Sequence, residues 1–199
     1  MDLVVIALTF AAIFVVELPD KTFVATLVLA TKYRPLLVWI GVGLAFTVQT
    51  IVAVLLGHAV TYLPEEIVRA VAAVIFLAGA VLLFREGRSH HQASEDEEEF
   101  AAKATAATGW RAVLTCFLIL FAAEWGDLSQ LLTISLVAKY DAPASVFVGA
   151  LGALLVVSGL AAIAGRTLLK FISLHALHYL GAAVCLLLAV LTTYELVAA

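Results

Sequence analysis

The chain has 199 residues, of which 64% are hydrophobic and 13% charged, and its formal net charge at pH 7 is −4. Because an ordinary soluble domain carries about 25% charged residues, this composition excludes that class. It also gives no reason to expect a nucleic-acid partner, since such proteins normally carry a clustered basic surface. We therefore predict a protein with several membrane spans.

Six apolar stretches follow one another, each long enough to cross a hydrocarbon core of about 30 Å. They lie near residues 3–30, 36–60, 64–84, 111–138, 144–165 and 174–197. We predict an all-α membrane protein with six transmembrane helices in the lipid bilayer. Residues 1–84 and 111–199 would each hold three spans, and the run of like charges in residues 85–110 predicts a solvated acidic linker between them.

Basic residues in the predicted loops are unevenly distributed between the two sides of the membrane. Eight lie on one side, and two, Arg69 and Lys139, lie on the other. Lysine and arginine are in excess in the cytoplasmic loops of membrane proteins. This bias predicts that both termini lie outside and that the acidic linker lies in the cytoplasm.

Two short acidic motifs interrupt the first and fourth stretches, and their equivalent residues are 107 positions apart. The motifs read Glu17-Leu-Pro-Asp20-Lys21-Thr22 and Glu124-Trp-Gly-Asp127-Leu-Ser129. Carboxylates at bilayer depth are costly, so two matched pairs indicate a functional site. The alternative is a structural role, in which they pair with Lys21 or cap broken helices.

The repeat extends beyond the motifs, because Thr26 and Thr133 are also 107 positions apart, as are Lys32 and Lys139. Each half has an odd number of predicted spans, so the second half would enter the membrane upside down relative to the first. The sequence therefore predicts two inverted three-helix repeats, an arrangement typical of secondary transporters.

Each motif combines paired carboxylates with a residue that weakens a helix. The two acids are three positions apart and share one helix face, while Pro19 or Gly126 lies between them. We expect a kink or an unwound stretch there, with freed carbonyl oxygens beside the acids. Such an all-oxygen set suits Ca²⁺, Mn²⁺ or Mg²⁺ better than zinc or copper.

Further polar residues are candidates for the same site. Thr22 and Ser129 add one hydroxyl in each half. Gln49 and Ser158 are approximate repeat mates, 109 positions apart, which either complete the site or form interhelical hydrogen bonds. The four carboxylates and Lys21 would carry a net charge of −3, which a divalent ion reduces to −1. Without the ion, protons must neutralise part of this charge, so metal and protons would compete.

The motif pair resembles that of the second calcium:cation antiporter family, which has the form Glu-x-Gly-Asp-Lys/Arg-Thr/Ser in each of two three-span repeats. That family includes Golgi and chloroplast calcium/manganese transporters and bacterial manganese exporters. The resemblance implies cation/proton antiport, with export across the plasma (inner) membrane as the usual bacterial role. Pro19 replaces the first glycine, and Leu128 replaces the second basic residue. The acidic ligands that the resemblance implies are Glu17, Asp20, Glu124 and Asp127.

The sequence thus predicts a transporter that exports Mn²⁺, or Ca²⁺, in exchange for protons. It is expected to be neither an enzyme nor dependent on a cofactor, and the cation is its substrate. No GxxxxGK[ST] motif is present, so we do not expect this chain to hydrolyse ATP for transport. An exporter of amino acids or other small solutes, a passive cation channel and an intramembrane metal enzyme remain alternatives. A homo-oligomer is compatible with the sequence.

Overall fold

The computed structural model describes residues 1–18, 20–62, 64–86, 88, 92–104, 107–171 and 174–198. These residues form nine α-helices and no strand, which confirms the predicted all-α class. The helices are α1 (Leu3–Glu17), α2 (Lys21–Lys32), α3 (Pro35–Val60), α4 (Glu65–Glu86), α5 (Gln92–Lys103), α6 (Trp110–Ala123), α7 (Leu128–Tyr140), α8 (Pro143–Phe171) and α9 (Leu174–Ala198).

Three helices are long and apolar enough to cross a membrane unaided, namely α3, α4 and α8. The pairs α1/α2 and α6/α7 each meet the same criteria together, but the two members are inclined by 69° and 71°. The described residues therefore contain three to five candidate spans. The stretches predicted at 3–30 and 111–138 are bent pairs rather than straight helices, and the bends lie at the two acidic motifs.

The motif residues account for the two bends. Asp20 and Asp127 are the N-caps of α2 and α7, each in an extended conformation. Gly126 has a φ of +80°, in the left-handed region that glycine adopts without steric cost. Pro19, the residue expected to break the first pair, lies outside the described residues. Each motif thus ends one helix and begins another.

Helices of the two halves pack across each other, with α1 against α8 and α6 against α3. Glycine permits the closest approaches. A Cβ atom on Gly41 would lie 2.5 Å from the carbonyl oxygen of Val113, and one on Gly149 would lie 2.6 Å from that of Ile6. The two glycines are 108 positions apart and the two carbonyls 107, so these contacts occupy equivalent positions in the two halves.

The acidic linker contains a helix that the sequence analysis does not anticipate. Helix α5 packs against α2, with Phe100 only 3% exposed, and the Lys32 ammonium donates a hydrogen bond to the Ala101 carbonyl. Glu99 and Lys103 form an ion pair on the exposed face of α5. A local apolar contact and this i, i+4 pair therefore stabilise helix in a segment whose charge alone predicts a solvated linker.

Candidate metal centre

The four motif carboxylates meet in the interior of the helical assembly. One oxygen from each lies within 4.8 Å of the corresponding oxygens of the others. The glutamates are almost fully buried, with Glu17 1% and Glu124 2% exposed, while Asp20 and Asp127 are half-buried. The structure thus brings together, from positions more than 100 residues apart, the four acids that the motifs single out.

The two helix breaks provide the positions of these acids. Glu17 is the last residue of α1, and Glu124 directly follows α6. The aspartates then cap the next helices, so each break contributes one acid from either side. Because the last carbonyls of a helix lack intrahelical partners and carry partial negative charge, the ends of α1 and α6 favour a cation.

The two motif hydroxyls lie beside glutamates of the cluster. The Thr22 hydroxyl donates to Glu17 Oε1 at 2.5 Å and lies 3.2 Å from Asp20 Oδ2. Ser129 is buried and lines the same small cavity as Glu124. Each half of the chain therefore places one hydroxyl near the acids, as the motifs predict.

Lys21 compensates part of the negative charge. Its ammonium nitrogen lies 3.3 Å from Asp127 Oδ1, so the ion pair joins the two motifs. Leu128 occupies the equivalent position in the second motif and supplies no charge. With all four acids ionised, the cluster carries a net charge of −3, which is costly in a buried environment.

Two carboxylate oxygens in the cluster are unsatisfied. Glu17 Oε2 and Glu124 Oε1 are buried, and neither has a hydrogen-bond partner among the residues that the structure describes. A buried carboxylate oxygen without a partner carries an energetic penalty, so native structures usually satisfy it. A cation or a proton would satisfy both atoms, and the all-oxygen donor set fits a hard divalent cation.

A cavity of about 10 Å³ adjoins Glu124, close to the space that one water molecule needs. Its polar lining comes from α3 and α7. The lining residues are Phe46, Gln49, Thr50, Ala53, Glu124, Ser129, Gln130, Thr133 and Leu154. The cavity therefore provides a polar environment on one side of the carboxylate cluster.

Gln130 is a site residue that the sequence analysis misses. Its Oε1 accepts a hydrogen bond from the Gly126 amide at 2.9 Å, so it stabilises the second helix break while lining the cavity. In the sequence, Gln130 stands out only as a polar residue three positions after Asp127. The equivalent residue of the first half is Phe23, so the repeat does not indicate a role for Gln130.

The two supporting candidates outside the motifs differ in position. Gln49 lines the cavity beside Glu124 and donates from Nε2 to the Phe121 carbonyl of α6 at 3.0 Å. It thus forms an interhelical hydrogen bond and also lies next to the cluster. Ser158 donates to the Leu155 carbonyl of its own helix at 3.2 Å. Its described hydrogen bond is therefore local and does not join it to the acids.

The chain is similar in sequence to known proteins. The family model described as divalent cation/proton antiporter GDT1 matches residues 5–91 and 112–199. The chain is 36% identical over 140 residues to the GDT1-like protein sll0615 of Synechocystis, which covers 65% of this chain and 68% of that protein. No solved structure matches the chain.

A plant relative aligns with almost the whole chain. The chain is 30% identical over 213 residues to protein PAM71, chloroplastic, of Arabidopsis thaliana, which covers 96% of this chain and 57% of that protein. The chain therefore spans little more than half the length of this relative. The family model covers both halves, including both acidic motifs, which confirms the resemblance seen in the motifs. The chain belongs to the GDT1 family of divalent cation/proton antiporters.

Proposed function

We propose that this protein exports a divalent cation, Mn²⁺ first and Ca²⁺ second, in exchange for protons at the four-carboxylate cluster. The observation that carries the proposal is the pair of unsatisfied oxygens, Glu17 Oε2 and Glu124 Oε1, inside that cluster. Both atoms offer lone pairs to a hard cation. The membership of the chain in an antiporter family supports protons as the counter-ion.

The chemistry of exchange follows from charge. A divalent cation at the cluster reduces the net charge from −3 to −1, and its departure leaves several like-charged groups close together. Protons then have to neutralise some of the same oxygens. Because a proton and a metal ion cannot share one lone pair, release of one favours binding of the other. An amino acid fits this cluster poorly, because four acids leave little to pair with its carboxylate.

We also propose that the spans form two inverted three-helix repeats, 1–84 and 111–199, joined by the linker 85–110. The equivalent helix breaks and the equivalent contacts of Gly41 and Gly149 support this arrangement. Helix α9 would be the sixth span, although its described apolar part, Tyr179–Tyr194, is shorter than the others. Rocking of one group of helices against the other would expose the cluster to each side in turn.

For the location, we propose the plasma membrane, with both termini outside and the linker in the cytoplasm. The excess of basic residues in the loops assigned to the cytoplasm supports this orientation. Helix α2 would then run from the cluster toward the cytoplasm, and α7 from the cluster toward the outside.

Tolerance of cells to external metals tests the proposal. Cells that express the wild-type protein should grow at Mn²⁺ concentrations that inhibit cells lacking it. E17Q and E124Q keep the side-chain size but remove a charge, and each should abolish this tolerance. E98Q is the matched control, because Glu98 is exposed on α5 and lies outside the cluster. Full tolerance in either cluster variant would contradict a shared site.

A further inference from the structure

The two halves differ in chemistry at one pair of equivalent positions next to the cluster. Phe23 and Gln130 are 107 positions apart, and each is the third residue of the helix that follows a break. Both therefore begin the route that leads from the carboxylates along α2 or along α7. One route begins with an aromatic ring and the other with an amide.

The route along α7 is polar where it leaves the cluster. Gln130 is half-buried and lines the cavity beside Glu124, together with Thr133 and, from α3, Gln49 and Thr50. Amide and hydroxyl oxygens can replace part of the hydration shell of a hard cation. The cavity has room for about one water molecule beside Glu124, so the α7 side of the cluster has a polar lining.

The route along α2 is apolar and tightly packed at the equivalent point. Phe23 is 1% exposed and belongs to the hydrophobic core. Thr26, one turn further on, is fully buried, and its hydroxyl oxygen has no hydrogen-bond partner within the described part of the chain. The Phe23 ring is thus closed to solvent in this conformation, and an aromatic ring cannot supply the oxygen ligands that a divalent cation requires.

We propose that Phe23 is the apolar gate on the α2 side of the cluster, and that Gln130 belongs to the polar approach on the α7 side. This inference rests on the proposed transport function and adds the residue that prevents both sides from being open at once. In the proposed orientation, the Phe23 ring must move aside for a cation that enters from the cytoplasm. Exchange stays coupled because the ring closes that route while the α7 side is accessible.

Exchange of Phe23 for a polar or an apolar side chain tests the gate. In proteoliposomes given a Mn²⁺ gradient, wild-type protein and F23L should move protons in proportion to Mn²⁺ and in the opposite direction, because both keep an apolar side chain at the gate. F23Q copies the residue of the α7 side and should pass Mn²⁺ down its gradient with several-fold less proton counter-movement per Mn²⁺ than wild type. No such uncoupling in F23Q, while wild-type protein shows coupled transport, would overturn the gate. Absence of transport in wild-type protein would instead overturn the proposed function.

Accessibility to a thiol reagent gives a second test that does not depend on transport. Cys116 and Cys185 are 0% exposed, so wild-type protein sets a low baseline for reaction with a small water-soluble reagent. Q130C should react several-fold faster than F23C in metal-free protein held in detergent. Equal reaction rates for the two variants would overturn the proposed difference between the α2 and α7 sides. Because this test does not use F23Q, it still applies if F23Q fails to fold.

Discussion

Glu17 Oε2 and Glu124 Oε1 define the chemistry of the cluster, because both are buried without a partner within the described part of the chain. The other oxygen of Glu17 accepts the Thr22 hydroxyl, so this carboxylate both holds a hydrogen bond and offers a free oxygen. Lys21 forms an ion pair with Asp127 of the other motif. At the residue scale, both halves of the chain therefore contribute acids to the cluster, and one oxygen of Glu17 and one of Glu124 stay free for a ligand.

The missing basic residue at Leu128 leads to a prediction about affinity. L128K adds a positive charge at the position equivalent to Lys21 and reduces the net negative charge of the cluster. The attraction for a divalent cation should fall, so the KM for Mn²⁺ in proteoliposome flux assays should rise several-fold. L128M is the control, because it keeps an apolar side chain at the packing contact of Leu128 with Gly79. A KM in L128K that equals the L128M value would contradict this electrostatic argument.

At the element scale, the two broken helix pairs bring the acids together. Each break places a glutamate at the end of one helix and an aspartate at the N-cap of the next. The second break also depends on Gly126, whose φ of +80° disfavours any residue with a Cβ atom. The backbone conformation at the second break thus restricts the residue type, as the side-chain chemistry of the acids does.

Substitution at Gly126 separates backbone strain from crowding. A Cβ atom there would meet no atom of the described residues within 4 Å, apart from its chain neighbours, so G126A adds strain without a clash. A left-handed alanine costs about 1–2 kcal/mol, and we expect lower thermal stability and reduced Mn²⁺ flux. G126N should lose less of both, because asparagine tolerates this conformation better. If alanine and asparagine reduced stability equally, the left-handed backbone would not be the reason for the glycine.

The sequence predicts the positions of the two breaks because proline and glycine interrupt apolar stretches that are otherwise continuous. It also predicts the four acids through their shared register. It does not predict that Gln130 belongs to the site, because the equivalent residue of the first half, Phe23, is apolar. Nor does it predict helix α5, which packs against α2 and buries Phe100. Sequence periodicity does not indicate which residues will be in contact in the folded protein. Matching the two repeats also overlooks positions, such as 23 and 130, at which their residues differ.

On the scale of the whole molecule, the two halves hold each other in place through equivalent crossings at Gly41 and Gly149. In each crossing, a glycine lets one helix lie against the backbone of a helix from the other half. Because α1 and α6 also end at the cluster, we expect a change at these crossings to shift the acidic motifs as well as to lower stability.

Alanine substitutions test the importance of these crossings. G41A and G149A would place a Cβ atom 2.5 and 2.6 Å from a carbonyl oxygen, so the helices must separate. Overpacking of this kind typically costs about 1–3 kcal/mol, and we expect a clear fall in Tm for each variant in detergent. G152A is the control, because among the described residues its Cβ atom would meet only the Phe10 ring, at an ordinary contact distance of 3.6 Å. A Tm for G41A or G149A as high as that of G152A would show that the crossings tolerate separation.

The central claim is that one buried carboxylate cluster exchanges a divalent cation for protons. Its most direct test is Mn²⁺ flux in proteoliposomes under an imposed proton gradient, with simultaneous measurement of the internal pH. We expect Mn²⁺ movement opposite to proton movement, lost in E17Q and in E124Q and retained in E98Q. Mn²⁺ movement that persists in both cluster variants, or that moves no protons, would contradict it.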